Sequence, residues 1–262
     1  MTSPAMAYLS PFDASAFTRV VMSFCLGKGT ICMYSRSYVL QISQRQNRKD
    51  YAFYQARRLR QFLPSVKPAR YQVLGTSAKD PSRHIGEWRI RVASRYLLTA
   101  YNLLYPQQGE EHRKFVITPP ALEALGLEAL ACLWSDRATV EQKVAGPRAR
   151  LSFGRQSHEE VELLADWCER LTNVRPELAP HRTSVKLGPS LIFKGDGIHT
   201  VLEALKTQWH ASAPCLHDKF QQSRTPLEDS KSDDVVLVGR RPKDSQMGRP
   251  QPVLFPPQMR QA

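Results

Sequence analysis

The stretch Leu26-Gly27-Lys28-Gly29-Thr30-Ile31 stands at the end of an apolar segment of the chain. Upstream of it, Asp13 is a favourable N-cap residue, because its carboxylate can accept backbone N–H groups of a first helical turn. The glycines predict the end of this helix, since glycine is unfavourable inside a helix and common just beyond it. Strand-like runs follow at Thr30–Ser35 and Tyr38–Gln44. The segment therefore predicts a helix that leads directly into a β-hairpin.

The chain continues with a second helix, a second hairpin and a third helix. An apolar period of about 3.6 residues predicts the second helix at Lys49–Leu63, before Pro64. Strands are predicted at Tyr71–Thr76 and Glu87–Ala93, and the third helix at Arg95–Leu104. The first half of the chain thus has the predicted order helix, hairpin, helix, hairpin, helix.

The same order of elements recurs in the second half, which indicates an internal duplication. The predicted elements are a short helix from Pro119 to Leu125, a helix at Leu127–Trp134, strands at Ala138–Val144 and Arg148–Gly154, a helix at Ser157–Leu171 with a capping box from Ser157 to Glu160, a turn at Asn173–Pro180, strands at Thr183–Leu187 and Leu191–Lys194, and a helix at Ile198–Trp209.

This repeat predicts a mixed α/β (α+β) fold made of two αββαββα halves. The two halves are predicted at residues 13–112 and 113–220. The remaining residues, 221–262, contain 6 of the 19 prolines and no sustained apolar period. They are predicted to form a disordered tail.

Two segments at corresponding places in the halves resemble motifs of a known family. The chain resembles a single-chain LAGLIDADG homing endonuclease, in which each half opens with an apolar helix that ends in an acidic residue. The family's Leu-Gly-Asp-Gly-Thr-Ile stands here as Leu26-Gly27-Lys28-Gly29-Thr30-Ile31. Its Leu-Ala-x-x-Trp-x-Asp-Asp-Gly stands as Leu130-Ala131-Cys132-Leu133-Trp134-Ser135-Asp136-Arg137-Ala138.

The resemblance implies a saddle-shaped fold with halves related by a pseudo-twofold axis and two sheets that lie on the DNA major groove. It also implies Mg²⁺ held by one carboxylate from each motif helix. Lys28 and Arg137 stand where the family has those two acids. Because Mg²⁺ needs oxygen ligands, two cations at these positions predict lost or impaired cleavage. No cofactor is expected, except Mg²⁺ if the protein is catalytically active.

The residues at the motif ends leave two alternatives open. Asp136 is the one carboxylate next to a motif. It is either a displaced metal ligand and catalytic residue, or a helix-end residue that faces solvent. The second is favoured because one helical position turns a side chain by about 100°. Lys28 and Arg137 are either phosphate clamps in the same cleft or residues that changed after cleavage was lost.

The charge distribution predicts a polyanionic partner. The chain has a formal net charge of +13, and residues 19–95 carry all of it. Arg89 and Arg91 alternate with apolar residues, which would put both guanidinium groups on one face of a strand. Double-stranded DNA is the expected partner, structured RNA is the second candidate, and a membrane is not expected. The predicted nucleic-acid-binding residues are Arg36, Arg45, Arg89, Arg91, Arg148, Arg150 and Lys186.

Three functions remain open at this point. The first is a LAGLIDADG-like nucleic-acid-binding protein with lost or impaired cleavage. The second is an active metal-dependent DNA endonuclease that uses Asp136, and the third is a structural ribonucleoprotein or maturase-like splicing component. Five scattered cysteines without a secretory signal predict reduced thiols and an intracellular location of unspecified compartment. A monomer is expected.

Overall fold

The computed structural model describes residues 12–34, 37–76, 84–106, 115–143, 146–154, 156–179, 188–206 and 208. All of them lie in one compact unit of the chain, residues 1–226. The elements in chain order are α1 (Ala14–Gly27), β1 (Gly29–Tyr34), β2 (Ser37–Arg45), a 3₁₀ turn (Gln46–Arg48), α2 (Lys49–Arg60), β3 (Arg70–Thr76), β4 (His84–Ala93), α3 (Leu97–Leu104), α4 (Pro119–Glu123), α5 (Leu127–Arg137), β5 (Ala138–Lys143), β6 (Gly146–Ser152), α6 (His158–Thr172), β7 (Glu177–Ala179), β8 (Ser190–Lys194) and α7 (Asp196–Lys206).

The described strands form two four-stranded antiparallel sheets with the same topology. The first sheet has the order β1-β2-β4-β3, and the second has the order β5-β6-β8-β7. In both sheets the second strand of each hairpin lies in the centre. The duplicated αββαββα fold predicted from the sequence is confirmed. The boundaries of the two halves, 13–112 and 113–220, stay a prediction.

Local sequence signals explain where two of the helices begin. The Asp13 carboxylate accepts the backbone N–H of Ala16 at 2.8 Å and so caps α1. Ser157 and Glu160 form the predicted capping box at the start of α6, each side chain accepting the other residue's backbone N–H. These caps satisfy donors that have no partner within the helix.

Several elements of the second half differ from their predicted bounds by a few residues, and two of the differences bear on the motif and on the second sheet. Helix α5 extends to Arg137, about one turn beyond Trp134, so both residues at the motif end are helical. Strand β7 lies inside the segment predicted as a turn, because a turn at Asn173, with φ 57°, already reverses the chain. A strand of three residues is too short to show a two-residue period. The predicted strand Thr183–Leu187 and the predicted tail, 221–262, lie outside the described residues.

Helices α1 and α5 pack side by side at the centre of the molecule. Residues 20–27 of α1 and 129–136 of α5 are buried without interruption. A helix that is apolar on all sides is expected in the middle of a core rather than at its surface. Their contact is more extensive than that between any other two described helices. The two motif helices therefore meet, as the resemblance implies.

The close approach of the two helices depends on Gly27. A Cβ atom built at Gly27 would lie 2.2 Å from Oδ2 of Asp136 on the facing helix. No side chain can occupy that space while Asp136 keeps its position. Gly27 therefore allows the last turn of α5 to lie directly against the last turn of α1.

The described residues also bear on the expected environment of the protein. None of the helices in this part of the chain combines the length and the hydropathy that a membrane span requires. Cys25, Cys32, Cys132 and Cys168 are free thiols. Burial raises the pKa of the Cys168 thiol to about 12, so this side chain acts as a small apolar packing residue.

We expect Gly27→Ala to lower the free energy of unfolding by about 2 kcal/mol, because the added methyl group must displace the Asp136 carboxylate or separate the helices. Urea denaturation followed by circular dichroism measures the change. Gly154→Ala is the matched control, since its added Cβ meets no atom within 4 Å. An equal, small effect of both substitutions would show that α1 and α5 are not closely packed at Gly27.

Candidate functional site

The C-terminal ends of α1 and α5 open onto a charged cleft. It consists of two adjoining cavities of about 490 and 460 Å³ that share Lys28, Asp136 and Arg137. Ser43 and Ser152 line the first cavity, and Arg45 and Arg48 line the second. We call this region the helix-end cleft and define it by its charged residues, which are Lys28, Arg45, Arg48, Asp136 and Arg137. Both sheets contribute residues to it.

Asp136 is buried in an ion pair between the two halves. Its side chain is fully buried, and its Oδ1 accepts a hydrogen bond from Arg48 Nη1 at 3.1 Å. The same oxygen accepts one from Gln44 Nε2 at 3.0 Å. The expectation that Asp136 faces solvent is therefore wrong. The physical reason is that α5 ends inside the core, against Gly27, rather than at the surface.

The partners of Asp136 are themselves held in place by the first half. Gln44 on β2 also donates to Oε1 of Gln55 on α2 at 3.2 Å. The Arg48 guanidinium lies over the Tyr51 ring, 4.4 Å from its centroid. The corner between β2 and α2 is thus shaped to hold one carboxylate from the other half of the chain.

Arg137 binds the end of the opposite motif helix. Its Nε donates to the carbonyl oxygen of Leu26 at 3.0 Å, and its Nη1 donates to that of Ser152 at 3.3 Å. The last carbonyls of a helix have no partner within the helix and carry partial negative charge, so a cation stabilises them. Burial lowers the pKa of the Arg137 guanidinium, and the adjacent Asp136 carboxylate opposes that shift.

Lys28 is the C-cap residue of α1 and is half-buried in the cleft. Burial lowers the pKa of its ammonium group, the Asp136 carboxylate raises it, and Arg48, Arg45 and Arg137 lower it further. Among the described residues, no side chain forms a hydrogen bond or an ion pair with the Lys28 ammonium or with the Arg45 guanidinium. Among the described residues the cleft therefore holds four cations and one carboxylate, and two of the cations, Lys28 and Arg45, have neither a hydrogen-bond nor an ion-pair partner for their side chains.

These residues do not fit Mg²⁺. The ion takes about six oxygen ligands in near-octahedral geometry, usually including carboxylates. Asp136 is the single carboxylate among the described residues of the cleft, and it already accepts two hydrogen bonds. The described part of the chain also contains no cluster of three or more His, Cys, Asp or Glu side chains. The donor set suits an anion rather than a divalent cation.

The outward face of the first sheet is basic. In β4, Ile90 and Val92 are buried, whereas Arg89 and Arg91 point to the other face. The register places Arg91 opposite Gln41 of β2, and Arg89 opposite Arg70 of β3. With the segment 65–68, this face borders a groove of about 600 Å³. Sequence reasoning missed Arg70 and Gln41, because nothing in the sequence shows which strands become neighbours.

The outward face of the second sheet is closer to neutral. Arg148 and Arg150 of β6 lie on one face, while Ala149 and Leu151, which alternate with them, are buried. The register adds Lys194 of β8 beside Arg148. Lys194 forms an ion pair with Glu177 of the neighbouring strand β7, which offsets its charge. Two further predicted binding residues, Arg36 and Lys186, lie outside the described residues.

Comparison with solved structures identifies the fold. The homing endonuclease I-WcaI bound to its DNA recognition sequence matches with a TM-score of 0.60 and 14% identity, over 82% of this chain and 93% of that chain. The LAGLIDADG homing endonuclease I-GzeII in complex with DNA matches with a TM-score of 0.45 and 10% identity, over 79% and 89%. The N-terminal LAGLIDADG domain of WhiA matches with a TM-score of 0.41 and 13% identity, over 77% and 87%.

Sequence comparison alone finds no match, either to a family model or to a curated protein. The likeness to I-WcaI lies in the three-dimensional arrangement, and at 14% identity it establishes the fold. The protein has the LAGLIDADG homing endonuclease fold, and the resemblance stated from the two motifs is confirmed at that level.

We expect Asp136→Ala to lower the free energy of unfolding by about 3 kcal/mol, because it leaves the Arg48 guanidinium without its buried counter-ion. Asp136→Asn should cost less, since the amide oxygen still accepts a hydrogen bond. Chemical denaturation measures both. The control is Asp166→Ala, a half-exposed carboxylate paired with Arg175, with an expected change below about 1 kcal/mol. A higher free energy of unfolding in Asp136→Ala would contradict a stabilising role of the ion pair and would favour a role of Asp136 as a metal ligand.

Proposed function

We propose that the protein binds double-stranded DNA through the outward faces of its two sheets and does not cleave it. The observation that carries this proposal is the charge of the helix-end cleft. Cations stand at both positions where the fold family has metal-binding acids, and the remaining carboxylate, Asp136, is committed to Arg48. Such a site favours a polyanion and disfavours the divalent metal that phosphodiester hydrolysis would use.

The sheet faces have the chemistry that duplex recognition requires. Arginine donates to phosphates and, in a bidentate manner, to guanine, whereas glutamine pairs with adenine in the major groove. The first sheet offers Arg45, Arg70, Arg89 and Arg91 beside Gln41 and Gln72 on one face. The structure of I-WcaI, which shares the fold, is that of a complex with DNA. This supports DNA as the partner; that the protein acts as a monomer stays a prediction.

The alternative functions depend on different residues. A working endonuclease would require Asp136 to leave Arg48 and Gln44, and it would require further oxygen ligands. Structured RNA remains the second candidate partner, because the basic faces attract any polyphosphate. A purely structural ribonucleoprotein role would leave the isolated chain with weak affinity for naked nucleic acid.

We expect duplex binding with a log K versus log salt slope near −5, which corresponds to about six neutralised phosphates. Replacing Arg89 and Arg91 together with Ala should weaken binding and reduce the slope by about 2, because two phosphate contacts are lost. Fluorescence anisotropy at several salt concentrations measures both quantities. The control is the pair Arg175→Ala and Lys206→Ala, two cations that lie outside the strands and are paired with acids. A slope near zero would contradict the proposal.

We expect no strand cleavage of a duplex library in Mg²⁺ or Mn²⁺ under conditions where the protein is bound. Sequencing the ends of the DNA fragments in the library detects any strand cleavage. Metal-dependent cleavage that Asp136→Asn abolishes, in a variant shown to be folded by circular dichroism, would establish the endonuclease alternative instead. Binding to a structured RNA that exceeds binding to duplex DNA at equal salt would replace the proposed partner.

A further inference from the structure

We propose that the helix-end cleft binds one backbone phosphate of the nucleic acid directly, through the Lys28 ammonium and the Arg45 guanidinium. The inference rests on the proposed function, since it names a phosphate contact within that binding mode. It assigns a ligand to the region between the two sheets, where the fold family holds its metal ions. The cations themselves would then supply the positive charge that faces the phosphate.

The first observation that supports the phosphate site is that four positively charged side chains line one cavity. Lys28 follows α1, Arg45 ends β2, Arg48 lies in the 3₁₀ turn and Arg137 ends α5, and all four line the same 460 Å³ cavity. Four cations that line one small cavity repel one another. The single carboxylate, Asp136, offsets the charge of only one of them. A bound phosphate would remove most of the remaining repulsion.

The second support is the set of donors that the protein leaves open. Arg48 is bonded to Asp136, and Arg137 is bonded to two carbonyl oxygens. Within the described part of the chain, the side chains of Lys28 and Arg45 have no hydrogen-bond or ion-pair partner. The Asp136 carboxylate attracts the Lys28 ammonium but is already paired with Arg48, so a partly buried Lys28 favours a further anionic ligand.

The donors therefore divide into two groups. Lys28 and Arg45 would contact the phosphate, whereas Asp136 and Arg137 act as positioning residues. Asp136 holds the Arg48 guanidinium, and Arg137 ties the end of α1, which carries Lys28, to the second half. The sequence suggested that Lys28 and Arg137 both contact the phosphate. In the structure Arg137 is bonded to backbone carbonyl oxygens, so Arg45 takes its place beside Lys28.

The position of the cleft fits a phosphate of a long polyanion. Ser43 on the outward face of the first sheet lines one of the two cavities, as does Ser152 of the second sheet. A duplex that contacts Arg89 and Arg91 on one side and Arg148 and Arg150 on the other would cross this region. Inorganic phosphate shares the ligand chemistry, so it serves as a separate probe of the site.

The first experiment uses inorganic phosphate and the full-length protein. Phosphate is titrated against chloride at constant ionic strength, and the Lys28 side chain is followed by ¹³Cε NMR as a function of pH. Phosphate should raise the pKa of Lys28 toward its usual value, because a bound anion favours the ammonium form. An unchanged Lys28 titration at saturating phosphate would overturn the inference.

The second experiment measures duplex binding of variants. Lys28→Gln and Arg45→Gln should each weaken binding about tenfold and reduce the salt slope by about 0.9, whereas Lys28→Arg should retain both. Lys206→Gln is the matched control, because Lys206 lies on α7 and is paired with Glu203. Circular dichroism and denaturation confirm that each variant is folded.

The outcomes separate the two proposals. Duplex binding that is unaffected by Lys28→Gln and Arg45→Gln overturns the phosphate site and leaves the proposed function intact. Absence of duplex binding by the unaltered protein, together with a phosphate-dependent Lys28 titration, overturns the proposed function and keeps an anion site. Equal loss of affinity in Lys28→Gln and in the control Lys206→Gln would show a general charge effect and overturn the specific contact.

Discussion

A single buried carboxylate joins the two halves of this protein. Asp136 ends one central helix, lies against Gly27 of the other, and is held by Gln44 and Arg48 from the first half. A buried charge is tolerated only when it is paired and hydrogen-bonded, so the geometry of all these partners is coupled. The last turns of α1 and α5, the corner between β2 and α2, and the helix-end cleft all meet at that ion pair.

The helix ends explain why cations are stable at the two motif positions. Two helix C-termini and one carboxylate place negative charge in a small, partly buried volume. In this chain Arg137 and Arg48 neutralise it through direct hydrogen bonds, and Lys28 adds further positive charge. The helix-end cleft therefore carries a net positive charge, which favours an anion over a divalent cation.

The two sheets have the same topology and different charge. The outward face of the first sheet carries Arg45, Arg70, Arg89 and Arg91 with one acid, Glu87, which is paired with Arg89, whereas in the second sheet Lys194 is paired with Glu177. The positive charge of the two sheets therefore lies mainly on the first sheet.

Sequence alone determined the order of elements, the duplication and the motif positions, because helix caps, glycines and apolar periods act over a few neighbouring residues. It also located the net charge in residues 19–95 and put Arg89 and Arg91 on one face of a strand. It misjudged Asp136 and missed Arg70, Gln41 and the strand at Glu177–Ala179. Those features depend on which segments pack together, and contacts between residues about 90 positions apart, such as Asp136 with Arg48 and Gln44, leave no local pattern. Only the tertiary structure decided that this carboxylate is buried, that Arg137 binds the end of α1, and that Lys28 and Arg45 remain without partners among the described residues.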